Sequence, residues 1–490
     1  MKYLKRISVA LALVLCVTAF AACNEDGLDK VSEGLSTYTL DAEYDDSTHT
    51  LTGSLHLDYI NNYETELDSL AFHLYGAAYR ENARFSPIAA SDEASAYPNG
   101  KSYGDMRVTE VKVKDALKTP NIGGSDGDIL SVALDDKLLP GGKTTVDIAF
   151  EVKLANVRHR LGYGDKTVNL GNFYPIACVY ENGAFRTDPY YSSGDPFFSE
   201  VANYHVTLKY PSKYKLGCTG APTTVTEGET STSAVDAKAV RDFAAVLGEF
   251  DEVSAKVGGT EVRYLYYADA APETSLKAAT DSLSKFEEMF CDYPYSSYTV
   301  VQTEFLQGGM EYPTLSFISD KLNESLYIDA VIHETAHQWW YGIVGNNEVD
   351  NAWLDEALAE YSTTLFYKLC PDYSVDFEKR ISDAMTSYLL YIDLYKPGAA
   401  ADTSMDRTLA EYSGAMEYTY MTYVKGQLML DNLRRTIGDD AFFAALKSYA
   451  TDNYLKIAVP DNLIACFEKA SARELKGYFA SWVEGRVQIY

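Results

Sequence analysis

Near residue 271 the spacing of apolar residues changes, and with it the kind of structure each half of the chain can adopt. From about 36 to 265 the period is two. Val146, Ile148, Phe150, Val152 and Leu154 alternate with mostly polar neighbours, and so do Leu51, Leu55, Leu57 and Tyr59. Leu70, Phe72 and Leu74 repeat the pattern, as do Tyr204, Val206, Leu208 and Tyr210. Successive side chains of an extended strand point to opposite faces, so each run buries one face and wets the other. Turn-rich stretches such as 121–128 and Pro140-Gly141-Gly142 separate the runs. Half-buried antiparallel strands are the natural product, which predicts a β-sandwich or saddle. After residue 271, Leu276, Ala279, Leu283, Phe286 and Phe290 fall on one helical face, with Pro272 at its start. A strand from Thr299 to Phe305 leads into Gly308-Gly309-Met310-Glu311, and helical spacing then dominates, including a run with Leu430, Leu433 and Ile437 closed by Gly438. The predicted fold class is multidomain α+β: a β-rich domain over 36–250 followed by a mostly helical domain over 251–490.

The balance of 42 basic against 71 acidic side chains gives a net charge of −29. Such a surface repels nucleic acid and anionic lipid, which removes both from the partners considered. Lys2, Lys5 and Arg6 precede an apolar stretch from Ile7 to Val17 that is too short to span a bilayer. Phe20-Ala21-Ala22-Cys23 resembles a bacterial lipobox, although Phe20 stands where leucine is usual. Residues 1–23 are therefore expected to be an export signal, and 24–35 a polar tether. The chain is expected on the extracytoplasmic face of a bacterial membrane, anchored only by lipid on Cys23, or else secreted. The five later cysteines have no short spacing, so neither a disulfide framework nor a thiolate metal site is expected.

His333-Glu334-Thr335-Ala336-His337 is followed, after eighteen intervening residues, by Glu356. Histidines at i and i+4 stand one above the other on a helix face, where two imidazoles can converge on one ion. A catalytic zinc takes three protein ligands and keeps a fourth position open for water, and a carboxylate is a common third ligand. His333, His337 and Glu356 are thus the candidate ligands of one Zn2+ per chain. Glu334 is placed beside the ion as a base. Glu360, one turn beyond Glu356, could hold the outer nitrogen of a ligating histidine or simply face solvent. Trp339, Trp340 and Trp353 are expected in the core.

Around these positions the text reads Gly309-Met310-Glu311, then His333 to Trp340, then Trp353-Leu354-Asp355-Glu356-Ala357, and later Tyr423-Val424-Lys425-Gly426. This resembles the aminopeptidase N family of gluzincin metallopeptidases, which includes the leukotriene hydrolases. The resemblance implies a thermolysin-like catalytic domain and peptide substrates with a free N-terminus. It makes Glu334 the general base and lays Gly308, Gly309, Met310 and Glu311 along the substrate, with Glu311 gripping the α-ammonium group. It assigns Tyr423 to the developing oxyanion; by composition alone, among 40 tyrosines, Tyr418 and Tyr420 would serve equally. Tyr312 replaces the family's asparagine, which bears on the first specificity pocket. Asp355 and Ala357 replace asparagine and glycine beside the third ligand. Only 67 residues follow Tyr423 (490 − 423), which leaves the large helical domain that caps many relatives unaccounted for.

The expected activity is a zinc aminopeptidase acting outside the cytoplasmic membrane. Two other readings fit the same residues. One is a zinc endopeptidase in which Glu311 makes a structural ion pair, and the other is a non-catalytic surface-binding lipoprotein.

Overall fold

The computed structural model describes residues 25–395 and 402–486. The export signal and Cys23 lie outside the described residues. The first half is built on an eight-stranded sheet running Thr223–Glu227, Thr230–Val240, Ala202–Pro211, Thr37–Asp45, Thr50–Ile60, Lys143–Lys153, Asp105–Val113 and Ala116–Lys118. Period two produces it directly: Tyr204, Val206, Leu208 and Tyr210 are buried, and the residues between them are not. Two four-stranded sheets, one holding Thr167–Gly171 and the other Leu67–His73, and a two-stranded ribbon of Tyr180–Glu181 and Ala184–Phe185 complete this half.

Two expectations need correction. The large sheet is mixed, because Thr37–Asp45 pairs in parallel with Ala202–Pro211, Leu40 opposite Val206. Strands joined by short turns must run antiparallel, whereas these two are joined by a long excursion that fixes no direction. The tether is also not a tether over most of its length. Glu25–Ser32 is a helix, and Leu28 on it is buried in the core. Lys238 Nζ donates to Asp29 Oδ1 at 2.7 Å and Asn203 Nδ2 to Ser32 O at 2.9 Å, fixing the helix to the sheet.

The second half opens on a five-stranded sheet of order Asp251–Val257, Thr260–Tyr266, Ser297–Thr303, Leu315–Ser319 and Gly309–Met310. Thr260–Tyr266 and Ser297–Thr303 are parallel, and the helix Pro272–Met289 crosses between them. Leu276, Ala279, Leu283 and Phe286 form its buried stripe. The edge strand Gly309–Met310 lies antiparallel on Leu315–Ser319, Met310 opposite Phe317. Helices dominate the remainder. The indole of Trp340 donates to Ser362 Oγ at 3.0 Å and that of Trp339 to Cys291 O at 2.9 Å. These buried indoles tie the end of one site helix, Glu324–Ala336, to the next, Trp353–Leu369, and to the helix Pro272–Met289 beside it.

The halves share a polar seam. Glu304 Oε2 accepts from the backbone N–H groups of Lys166 and Thr167 at 2.7 and 3.3 Å, and Asn169 Nδ2 donates to Glu304 O at 3.2 Å. The β-rich half therefore forms a wall of the site rather than a separate module. All five described cysteines are free thiols. Among the described residues no helix is long and apolar enough to cross a membrane.

Candidate metal centre

The helix Glu324–Ala336 starts at Asn323, whose side chain accepts from Leu326 N at 3.1 Å, and its last turn carries His333 with His337 at the cap. The two Nε2 atoms are 3.0 Å apart. Glu356, on the helix Trp353–Leu369, brings Oε2 to 3.3 Å from His337 Nε2 and 3.6 Å from His333 Nε2. Donors about 2.0–2.1 Å from a tetrahedral zinc lie roughly 3.4 Å from one another, so this triangle has the size such an ion requires. His337 Nδ1 lies 2.9 Å from Trp340 O, which accepts only from a protonated nitrogen and so leaves Nε2 with its lone pair toward the centre. His333 Nδ1 faces Glu360 Oε2 at 3.4 Å, giving the same polarity. Glu360 is in turn held by Arg380 at 3.2 Å and Gln427 at 3.1 Å, and Arg380 grips Asp329 with two bonds of 2.7 and 3.1 Å. Glu360 therefore supports the histidine instead of facing solvent. Burial pushes the Glu356 carboxyl up, but His333 and His337 outweigh it and hold it at about 2. Two imidazoles that give up their protons to the ion, together with an ionised carboxylate, are the donor set zinc accepts, and the residues fit it.

Glu334 is buried beside this triangle, and its Oε2 has no hydrogen-bond partner among the described residues. Burial pushes its carboxyl up to about 7, against the pull of His333 and His337. Its other oxygen rests on the edge strand: a Cβ at Gly309 would fall 2.2 Å from Glu334 Oε1. Only glycine lets the strand lie this close to Glu334. Alternation then places Gly309 and Glu311 on one side of the strand and Met310 and Tyr312 on the other.

The consequences differ for each expected residue. Gly308, Gly309 and Glu311 line a cleft of about 500 Å³ together with His333, Glu334 and His337. Met310 does not: it is buried, with its sulfur accepting from Arg160 Nε at 3.0 Å. Tyr312 is likewise turned away, its ring against Phe317 and its hydroxyl over Gly171, where a Cβ would clash. Tyr312 therefore does not line this cleft. Burial, with Asp195 adding to it, holds the Glu311 carboxyl well above the usual carboxylate range. Asp195 is itself ion-paired with the buried Arg160.

Tyr423 lies in a π-helical turn, Tyr420–Lys425, that runs into the helix Gly426–Ile437. Its hydroxyl donates to Glu356 Oε1, and its ring lies nearly parallel to that of His333 with centroids 5.6 Å apart. Tyr420 stacks instead on Tyr391, at 4.4 Å. The Lys-Gly pair beyond Tyr423 has a mechanical role. Lys425 Nζ donates to the carbonyls of Thr403 and Trp482, both at 2.5 Å, and Gly426 lets the helix close on Ala357. A Cβ at Gly426 would sit 2.5 Å from that of Ala357, so alanine at 357 is tolerated because glycine faces it. Asp355 is buried, and burial together with Glu356 pushes its carboxyl well up. Asn346 Nδ2 donates to Asp355 Oδ1 at 3.3 Å. Arg160, Asp195 and Tyr418 also line the cleft.

The peptidase family M1 domain model matches residues 274–482, which hold the three candidate ligands, Glu334 and Tyr423. Aminopeptidase N of Lactococcus lactis subsp. lactis (strain IL1403) is 26% identical over 233 residues, 44% of this chain and 27% of that protein. Aminopeptidase N of Streptomyces lividans is 25% identical over 214 residues, 41% of this chain and 24% of its own length. The chain thus spans about a quarter of the length of the curated relatives it matches. Over nearly the whole chain the fold is similar to the M1 zinc metallopeptidase of Deinococcus radiodurans, with a TM-score of 0.68 and 17% identity, covering 93% of this chain and 95% of that one. A β-rich first half followed by a mostly helical second half is therefore a fold this chain shares with that metallopeptidase.

Proposed function

We propose that the chain is a zinc aminopeptidase that removes N-terminal residues from peptides. The observation that carries this reading is the placement of Glu311. It stands on the same face of the edge strand as Gly309, inside the cleft that holds the ligand triangle and the base. A carboxylate at that position fixes a substrate by its terminal ammonium through a charge-assisted hydrogen bond, and the cleavage point is then counted from the amine. His333, His337 and Glu356 would hold the ion, whose positive charge polarises the scissile carbonyl and makes water a nucleophile near neutral pH. Glu334 takes the proton of the attacking water and delivers it to the leaving amine. Tyr423 donates its phenolic proton to the carbonyl oxygen as negative charge builds there. Arg160 pairs with Asp195, and burial holds the Glu311 carboxyl up, so Glu311 ionises as the substrate ammonium arrives beside it. A mutant of the Deinococcus enzyme is known bound to a Tyr-Ser-Ala substrate, and peptides as a substrate class come to this chain by that likeness.

The site of action is proposed to be outside the cytoplasmic membrane. Support comes from Lys2, Lys5 and Arg6, the short apolar stretch after them, and the lipobox ending at Cys23. Mass spectrometry of the mature N-terminus tests this, and a chain retaining Met1 in the cell would overturn it. The activity is tested with one peptide offered in free-amine and N-acetylated forms. Stepwise loss of residues from the free form alone is expected; equal cleavage of both, at internal bonds, would favour the endopeptidase.

A further inference from the structure

Glu356 Oε1, the oxygen turned away from the histidines, receives two phenols. The hydroxyl of Tyr418 donates to it at 3.2 Å, and so does that of Tyr423. In a regular α-helix residues five apart point about 140° from each other. The chain reaches one atom with both because the turn Tyr420–Lys425 is π-helical, with i to i+5 bonding.

The two tyrosines are held differently. Tyr418 is buried and clamped: its ring meets Tyr412 edge-on at 5.4 Å, and a Cβ at Gly194 would lie 2.9 Å from it. Gly194 has φ +76°, so the loop that presses on this ring is one that other residues adopt poorly. Tyr423 is half-buried, its ring stacked on His333 and met edge-on by Tyr418 at 5.9 Å.

Resting on the zinc aminopeptidase reading, we infer that Tyr418 is a positioning residue: it is the permanent donor to Glu356 Oε1, which frees Tyr423 to exchange between Glu356 and the substrate carbonyl. Tyr423 cannot serve an oxyanion while it is needed to satisfy a buried carboxylate oxygen. An unsatisfied charged oxygen in this setting disfavours departure of its only donor, and Tyr418 removes that constraint. It also keeps Oε2, rather than Oε1, facing the two imidazoles.

The test compares Tyr418→Phe with Tyr423→Phe in the full chain. Zinc affinity is read by chelator competition, and kcat and KM at saturating zinc. Y418F is expected to weaken zinc binding about tenfold or more, the range for lost support of a metal ligand. Its kcat should fall with KM unchanged, because Tyr423 is then retained on Glu356. Y423F is expected to lose kcat but keep wild-type zinc affinity. A smaller affinity loss in Y418F, or an equal loss in Y423F, overturns the inference. Wild-type protein that takes up no stoichiometric zinc overturns the metallopeptidase reading instead. Should Y418F not fold, a crystal structure of zinc-loaded wild type with a peptide-like inhibitor decides. The Tyr418 hydroxyl should remain within hydrogen-bond reach of Glu356 Oε1 while that of Tyr423 has left it, and the reverse arrangement refutes the assignment.

Discussion

Replacing Gly309 with alanine adds one methyl group at the point where the substrate strand touches the base. The new Cβ would fall 2.2 Å from Glu334 Oε1 and 2.5 Å from its Cδ, against an ordinary contact of 3.4 Å or more. The carboxylate must therefore retreat by about 1 Å, since the strand behind Gly309 is paired to Leu315–Ser319 and backed by buried Phe317. A misplacement of about 1 Å in a reacting group costs roughly a hundredfold in rate, or about 2.7 kcal/mol of transition-state stabilisation. None of the zinc ligands is touched. Gly309→Ala is thus expected to keep its metal and its melting temperature while kcat on an aminoacyl p-nitroanilide falls about a hundredfold. Full activity in a folded, zinc-loaded variant would refute the claim that Glu334 works from this position.

Other variants separate the remaining roles. Glu334→Gln should retain zinc and lose at least about a hundredfold in kcat, the low end for a lost general base; undiminished turnover would remove Glu334 from the chemistry. Glu311→Ala should erase most of the preference for free-amine over N-acetylated substrate, and an unchanged ratio of kcat/KM values would move amine recognition elsewhere. Glu360→Ala should weaken zinc binding about ten- to a hundredfold by freeing His333, which chelator competition measures directly; wild-type affinity would show the contact idle. The last prediction lies away from the site. Burial pushes the imidazole of His73 down to about 4, so the folded state resists a proton that the unfolded chain accepts near 6.5. Its contribution is full above pH 6.5 and is lost progressively as pH falls toward 4, by about 3 kcal/mol. His73→Gln should flatten this part of the stability profile in urea titrations, and parallel profiles for the two proteins would contradict the assignment.

Much of this was legible in the sequence because it rests on periodicity and spacing. The alternation around Leu208 and Ile148 marks strands, and Pro272 and Gly438 stand beside the helix ends they signal. Histidines four apart converge on any helix, so the ligand pair needed no structure. What stayed hidden depends on long-range geometry. Nothing local distinguishes a parallel from an antiparallel partner for Thr37–Asp45, and one apolar residue, Leu28, anchors a helix whose composition reads as a polar linker. The facing of Met310 and Tyr312 was within reach, since period two opposes them to Gly309 and Glu311. Tyr418 was not, because a helical period of 3.6 places it on another face from Tyr423 and only the π turn reunites them. Arg160 enters from the β-rich half, and no spacing within the catalytic segment points to it.

Anomalous diffraction at the zinc absorption edge, on crystals of protein purified without chelator, is the most direct check of the metal centre. One peak per chain is expected, about 2.0–2.2 Å from Nε2 of both His333 and His337 and from a carboxylate oxygen of Glu356. A peak elsewhere, or none at that position in protein that still cleaves peptides, would contradict the assignment.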